Sequence, residues 1–203
     1  MIASEYFISR EETILLRLTD AYSLHRIIYD LFPPRDPPVR ENGSHKGFLY
    51  ADKGSSWSGR KILILSEFPP RSPSYGSIES RIVPETFLQY DHYCFEVEVN
   101  PTTRNGASGK TIPLKDPHTI IQWFLRKASL YGFSVDEKSI QVEKIGVRRF
   151  SKKNHMVTQA TATIKGFLTV TNRELFQQSF REGIGRARGF GFGLLQLIPF
   201  RRK

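Results

Sequence analysis

Apolar positions along this 203-residue chain repeatedly change period, from two to between three and four, and each change marks an element. Residues 13–18 are rich in β-branched and aliphatic side chains and read as a strand. Asp20 then stands where an N-cap belongs, and Ala21, Leu24, Ile27, Ile28 and Leu31 recur at helical spacing until Pro33 and Pro34 end the helix. Residues 35–47, with Pro37, Pro38, Gly43 and Gly47, form a loop. Residues 48–50 and 61–65 read as strands around a turn spanning 54–59. Residues 77–83 form a short helix or strand that Pro84 closes.

The second half repeats the grammar. Residues 92–99 alternate as a strand, 101–110 form a polar loop, and Pro117 opens a helix carrying Ile120, Ile121, Phe124, Leu125 and Ala128. Residues 140–150 and 156–170 read as strands flanking a basic hairpin tip at 151–154. Thr171 or Asn172 caps a helix bearing Leu175, Phe176, Ser179 and Phe180; a glycine run follows, then a strand over 194–198. The order β-α-β-β-α-β is the split βαβ arrangement, with two helices on one face of an antiparallel sheet. The first half fits it less cleanly. The expected architecture is therefore α+β, with tandem ferredoxin-like (RRM-like) domains over 1–88 and 89–203.

Charge narrows the function. The formal net charge is +10 and the pI near 9.8, a balance suited to nucleic acid or an anionic surface. The lone Cys94 excludes an intramolecular disulfide framework and a cysteine-rich zinc site. No apolar run approaches the roughly 20 residues that span a bilayer, and Glu5, Arg10, Glu11 and Glu12 stand where a signal peptide would be apolar, so a cytoplasmic protein is expected.

The run from Gly183 to Gly193 sharpens that expectation. Gly183, Gly185, Gly189, Gly191 and Gly193 alternate with Arg186 and Arg188, so the backbone can approach an anion closely and turn free N–H groups toward phosphates. No tight acidic motif suggests a metal-dependent nuclease. Metal-free RNA cleavage needs a group to take the 2′-hydroxyl proton, another to protonate the leaving 5′-oxygen, and cations for the phosphorane; histidine is the usual candidate. Of the five histidines, His45, His118 and His155 fall in loop, helix-start and hairpin contexts and His92 opens a strand. His25 lies inside the first helix, at the edge of its apolar stripe with Tyr22 and Tyr29. Its plain alternative is a boundary histidine whose ring merely packs.

The helix from Asp20 through Tyr22 and His25 to Pro33, joined to the run from Gly183 through Gly193 and the leucines after it, resembles the CasE (Cse3) family, the CRISPR-RNA-processing endoribonucleases of type I-E systems. The resemblance implies tandem ferredoxin-like domains and metal-independent cutting at the base of a repeat stem-loop. It implies a 5′-hydroxyl and a 2′,3′-cyclic phosphate, with the mature guide retained among the other subunits of Cascade. By position, His25 matches the catalytic histidine and Tyr22 the tyrosine that assists it. Arg186 and Arg188 take the basic slots of the glycine loop. Arg148, Arg149, Lys152 and Lys153 resemble the hairpin that enters the groove of the stem. The chain departs from the family pattern at Gly189 and Phe192. No cofactor, metal or membrane is implied.

Other readings of the same residues stay open. Arg188 through Phe192 match the start of the RNP1 pattern, so a non-catalytic RNA-binding module with RRM-like domains is the alternative function. Phe190 and Phe192 could stack bases or fill the core. A nucleotide-binding enzyme fails because neither a P-loop nor a dinucleotide fingerprint is present. The basic hairpin could be solvated decoration. The endonuclease reading requires the His25 imidazole beside the glycine strap.

Overall fold

The alternation begins earlier than expected. In a computed structural model describing residues 1–32, 47–106, 109–152 and 155–200, with the backbone alone at 152, Ser4, Tyr6 and Ile8 point inward from β1 (Ile2–Ser9). The strand expected over 13–18 is not there; a short helix, α1 (Arg10–Leu15), and a turn occupy that stretch. A capping box decides it. The Ser9 side chain accepts from Glu12 N, and the Glu12 carboxylate accepts from Ser9 N at 2.9 Å. Gly76 N also donates to Glu12 at 2.7 Å, and these donors hold its carboxyl below the ordinary range.

The next helix, α2 (Ala21–Asp30), starts as its sequence predicts. Asp20 accepts from Ser23 N at 2.7 Å, and Ser23 Oγ accepts from Asp20 N at 3.2 Å. Leu24 and Ile28 are buried, with Leu31 just beyond. They pack on Tyr6 and Ile8, on Phe48 and Tyr50 of β2 (Phe48–Ser55), and on Ile62 and Ile64 of β3 (Gly59–Ser66). Each such burial contributes about 2 kcal/mol, so a charge at Ile28 would detach the helix that carries His25. Residues 77–83, read as helix or strand, give β4 (Ser77–Ile82). The sheet order is β2-β3-β1-β4, all antiparallel, which is the ferredoxin-like order. The connection over 67–76 carries no helix, which is why this half fitted the pattern less cleanly.

In the second half β5 (His92–Val99) matches its reading, whereas the polar loop over 101–110 carries a short strand, β6 (Thr102–Arg104), that pairs with β7 (Thr111–Pro113) just beyond it. Then come α3 (Pro117–Ala128), β8 (Phe133–Val135), β9 (Gln141–Lys152), β10 (His155–Val170) and α4 (Arg173–Glu182), the last capped by Asn172. The final strand, β11 (Gln196–Pro199), begins two residues later than expected. The order is β11-β5-β10-β8, with β9 also on β10, so the second strand of the ferredoxin-like pattern is split in two. Both halves thus have antiparallel ferredoxin-like sheets.

Two features position the site. Leu49, Ala51 and Leu65 face away from α2 and join Tyr93, Phe95, Phe176 and Phe180 in a shared core, while Lys53 bonds Glu96 and Gln196 across the two sheets. β10 pairs with β5 only from Ala162 onward, but with β9 from His155. The surplus makes a two-stranded ribbon, and it carries Arg148, Arg149 and Phe150 out toward α2. Among the described residues no helix is long and apolar enough to cross a membrane.

Candidate active site

The glycine loop between α4 and β11 is pinched shut at its base. Ile184 N donates to Gly193 O at 2.9 Å, and Gly193 N donates to Glu98 O at 2.8 Å. Gly183, Gly185, Gly191 and Gly193 all have positive φ, and a Cβ on Gly193 would lie 2.2 Å from Ile184 O. The expectation that these glycines offer N–H groups to phosphates fails at all four. Gly183 N bonds Ser179 O, Gly185 N bonds the Tyr131 hydroxyl, and Gly191 N bonds Arg188 O. Their role is to bend the chain so that Gly189 and Phe190 meet α2.

At that meeting point His25 Nδ1 lies 2.5 Å from Gly189 O. A carbonyl oxygen can only accept, so Nδ1 carries the proton and Nε2 is the basic nitrogen of the ring. The Tyr50 hydroxyl donates to the same oxygen at 3.3 Å, and burial pushes that phenol's pKa up, keeping it a donor. Aromatic rings enclose the imidazole: Tyr29 at 3.9 Å between centroids, Phe190 at 5.0 Å and Tyr22 at 6.1 Å, the last tilted by only 15°. Phe150 stacks on Tyr22 at 6.4 Å and meets Phe190 at 4.7 Å with the rings tilted by 36°, so the ribbon closes the box. Burial also raises the Tyr29 phenol.

Beside the box is a cleft of about 280 Å³, lined by Thr19, Asp20, Tyr50, Val147, Arg149 and Phe190 among others. Its ionic wall is largely self-satisfied. Arg60 grips Asp52 through Nε at 3.1 Å and Nη2 at 2.5 Å. Burial pushes the Asp52 carboxyl up, but the Arg60 hydrogen bonds and charge carry it below its usual range. Burial pushes Glu98 above its usual range despite Arg148. Among the described residues no three His, Cys, Asp or Glu side chains gather to hold a metal ion.

The residues singled out in the sequence therefore separate. His25, Tyr22 and Gly189 come together. Arg149 is exposed at the cleft with no ion pair or side-chain hydrogen bond to the described residues, and Arg186 is exposed in the loop. Arg188 turns inward, donating to Glu182 O at 2.6 Å and Gly183 O at 3.3 Å, where it caps α4. Arg148 is also tied inside the protein, to Phe190 O and Glu98. The Lys152 side chain and Lys153 lie outside the described residues, as do His45 and most of the 33–47 loop. Arg188 to Phe190 is a helical turn and not a strand, which removes the RNP1 reading; Phe192 is core. Sequence reasoning missed Tyr50, Asp52, Arg60, Glu98 and Phe150, because only long-range strand pairing brings them here.

The family model described as CRISPR associated protein matches residues 6–199. The CRISPR-associated endoribonuclease Cse3 of Thermus thermophilus is 27% identical over 115 residues, covering 52% of this chain and 54% of that protein; this aligned stretch spans about half the length of the relative. The CRISPR system Cascade subunit CasE of Escherichia coli is 24% identical over 193 residues, 89% of this chain and 92% of the relative. A structure of CRISPR endoribonuclease Cse3 bound to 19 nt RNA superposes with a TM-score of 0.84 at 19% identity, covering 98% of this chain and all of the other, a likeness of fold. Matched over nearly its whole length, the chain belongs to the CRISPR associated protein family, as its resemblance to CasE implied.

Proposed function

We propose that the chain is an endoribonuclease that cuts CRISPR precursor RNA within the repeat, at the base of a stem-loop, without a metal ion. The observation that carries this reading is the pinning of His25 Nδ1 by Gly189 O, which makes Nε2 the proton-accepting atom of a ring whose neighbour Phe190 also lines the cleft where Arg149 is exposed. Nε2 takes the proton of a ribose 2′-hydroxyl, and that oxygen forms a bond to the adjacent phosphorus. The bond from phosphorus to the 5′-oxygen breaks, and the leaving oxygen acquires a proton. The ends are a 2′,3′-cyclic phosphate and a 5′-hydroxyl. Tyr22 flanks the imidazole and orients the reacting ribose, and Arg149, with Arg186, supplies charge for the crowded phosphate.

Residues 1–88 are then the half that carries the imidazole, and 89–203 the half that carries the ribbon and the glycine loop. The Cascade subunit among the relatives supports a place beside other Cascade subunits; retention of the mature guide there and a cytoplasmic setting belong to the same proposal. The test is labelled repeat RNA incubated in EDTA with wild type and His25→Ala. Wild type should cut at one bond, and the variant should bind but not cut. Cutting by the variant at the same bond removes His25 from the mechanism. A wild type that binds without cutting makes the chain an RNA-binding protein only.

A further inference from the structure

If His25 must keep its proton on Nδ1, whatever holds the Gly189 carbonyl in place matters to the reaction. The adjoining carbonyl, Phe190 O, accepts from Arg148 Nη1 at 2.7 Å. The other arm of the same guanidinium, Nη2, lies 2.5 Å from Glu98 Oε2. The guanidinium also sits over the Phe192 ring, with Cζ 4.6 Å from its centroid. One side chain thus ties three separate segments: the β9 ribbon, strand β5 and the loop itself. Its side chain is 20% exposed and that of Glu98 is 17% exposed, so the pair is mostly shielded from water. Glu98 belongs to the same anchorage twice over, since its backbone oxygen accepts from Gly193 N at the loop's base.

A planar fork suits this task and a point charge does not. Arginine directs its N–H groups along fixed, diverging lines, so it can meet a carbonyl on one side and a carboxylate on the other; lysine has no such fork. We propose that Arg148 is a positioning residue for His25, clamping the Phe190 carbonyl against Glu98 so that the Gly189 carbonyl is presented to Nδ1. This deepens the endoribonuclease reading and rests on it. It also reassigns Arg148 from the RNA contact that its place in the basic hairpin suggested. Arg149, the exposed neighbour, keeps that role.

Arg148→Lys separates the two roles, because it keeps the charge and loses the fork. Under saturating repeat RNA it should cut about 100-fold more slowly than wild type, the scale of loss when a reacting group is misplaced by about 1 Å. Its Kd should change less than about threefold, and the slope of log Kd against log salt should stay at the wild-type value. Arg148→Ala should behave alike; if it does not fold, Arg148→Lys carries the test. Wild-type cutting by Arg148→Lys overturns the proposal. So does an Arg148→Ala protein whose only defect is weaker binding with a salt slope smaller by about 0.9, the mark of a lost phosphate contact. Nitrogen NMR of the His25 ring in the RNA-free protein supplies a readout independent of cutting. Wild type should show the proton on Nδ1, and Arg148→Lys should show a mixture of tautomers. An unchanged ring spectrum overturns the positioning role. A wild type that cuts no RNA, with the spectral change still present, sinks the endoribonuclease reading instead.

Discussion

Two alanine substitutions in the glycine loop have unequal consequences, and the difference can be worked from the backbone. Gly185 and Gly193 have nearly the same φ, +76° and +82°, so each costs about 1–2 kcal/mol when a Cβ is added in the left-handed region. At Gly185 nothing lies within 4 Å of the new Cβ, and that strain is the whole effect. At Gly193 the Cβ would meet Ile184 O at 2.2 Å and Ile184 N at 3.0 Å, both backbone atoms that cannot rotate away. Relief requires opening the pinch, which breaks the bonds Ile184 N to Gly193 O and Gly193 N to Glu98 O. Each is worth about 1 kcal/mol, so Gly193→Ala should lose about 3–4 kcal/mol in all. For a chain of this size a loss of 1 kcal/mol lowers Tm by about 2–4 °C. Calorimetry should therefore find Gly193→Ala melting about 6–16 °C below wild type, and Gly185→Ala about 2–8 °C below, with Gly193→Ala the lower of the two. A Gly193→Ala protein that melts with or above Gly185→Ala would refute the close approach of the loop's two ends.

Other outcomes follow from the charged groups. Arg149→Ala should weaken repeat binding and reduce the salt slope by about 0.9; an unchanged slope removes Arg149 from the phosphate path. Asp52 has a folded-state pKa below its unfolded value near 3.9, so the stability it contributes is present above that pH and lost as pH falls through the folded value. Asp52→Asn should lose about 2–3 kcal/mol at neutral pH by stranding the mostly buried Arg60, and its acid unfolding should be shallower than that of wild type. Urea unfolding at a series of pH values checks both halves, and parallel curves for the two proteins would contradict the pairing. Tyr22→Phe should leave folding intact and slow cutting at saturating RNA, which single-turnover rates will show; an equal rate would mean that the ring alone matters.

Elements with their own local logic were legible in the chain. Asp20 with the spacing of Leu24, Ile28 and Leu31 defines α2 outright, and alternation defines β5 to the residue. The opening strand was missed because its inward positions include Ser4, a polar residue that hides the period of two. The β-branched content of 13–18 suggested a strand, yet Ser9 and Glu12 form a capping box and local hydrogen bonds outweigh propensity. At the site, the spacing of Tyr22, His25 and Tyr29 placed three rings on one helix edge. Nothing local could add Phe150 and Phe190, which arrive through the β9 ribbon and the loop. Arg148 shows the limit most clearly. Its position in a basic hairpin suggests a solvent-facing cation, and only the pairing of β9 with β10 reveals that it points at Glu98.

The bond from His25 to Gly189 joins residues 164 positions apart, one on helix α2 and the other in the glycine loop. Synthesis must therefore pass residue 189 before the imidazole finds its acceptor. Until then the histidine is present without the contact that fixes its tautomer. Under the proposed mechanism, a chain still short of Gly189 would lack the carbonyl that sets the ring for cutting RNA.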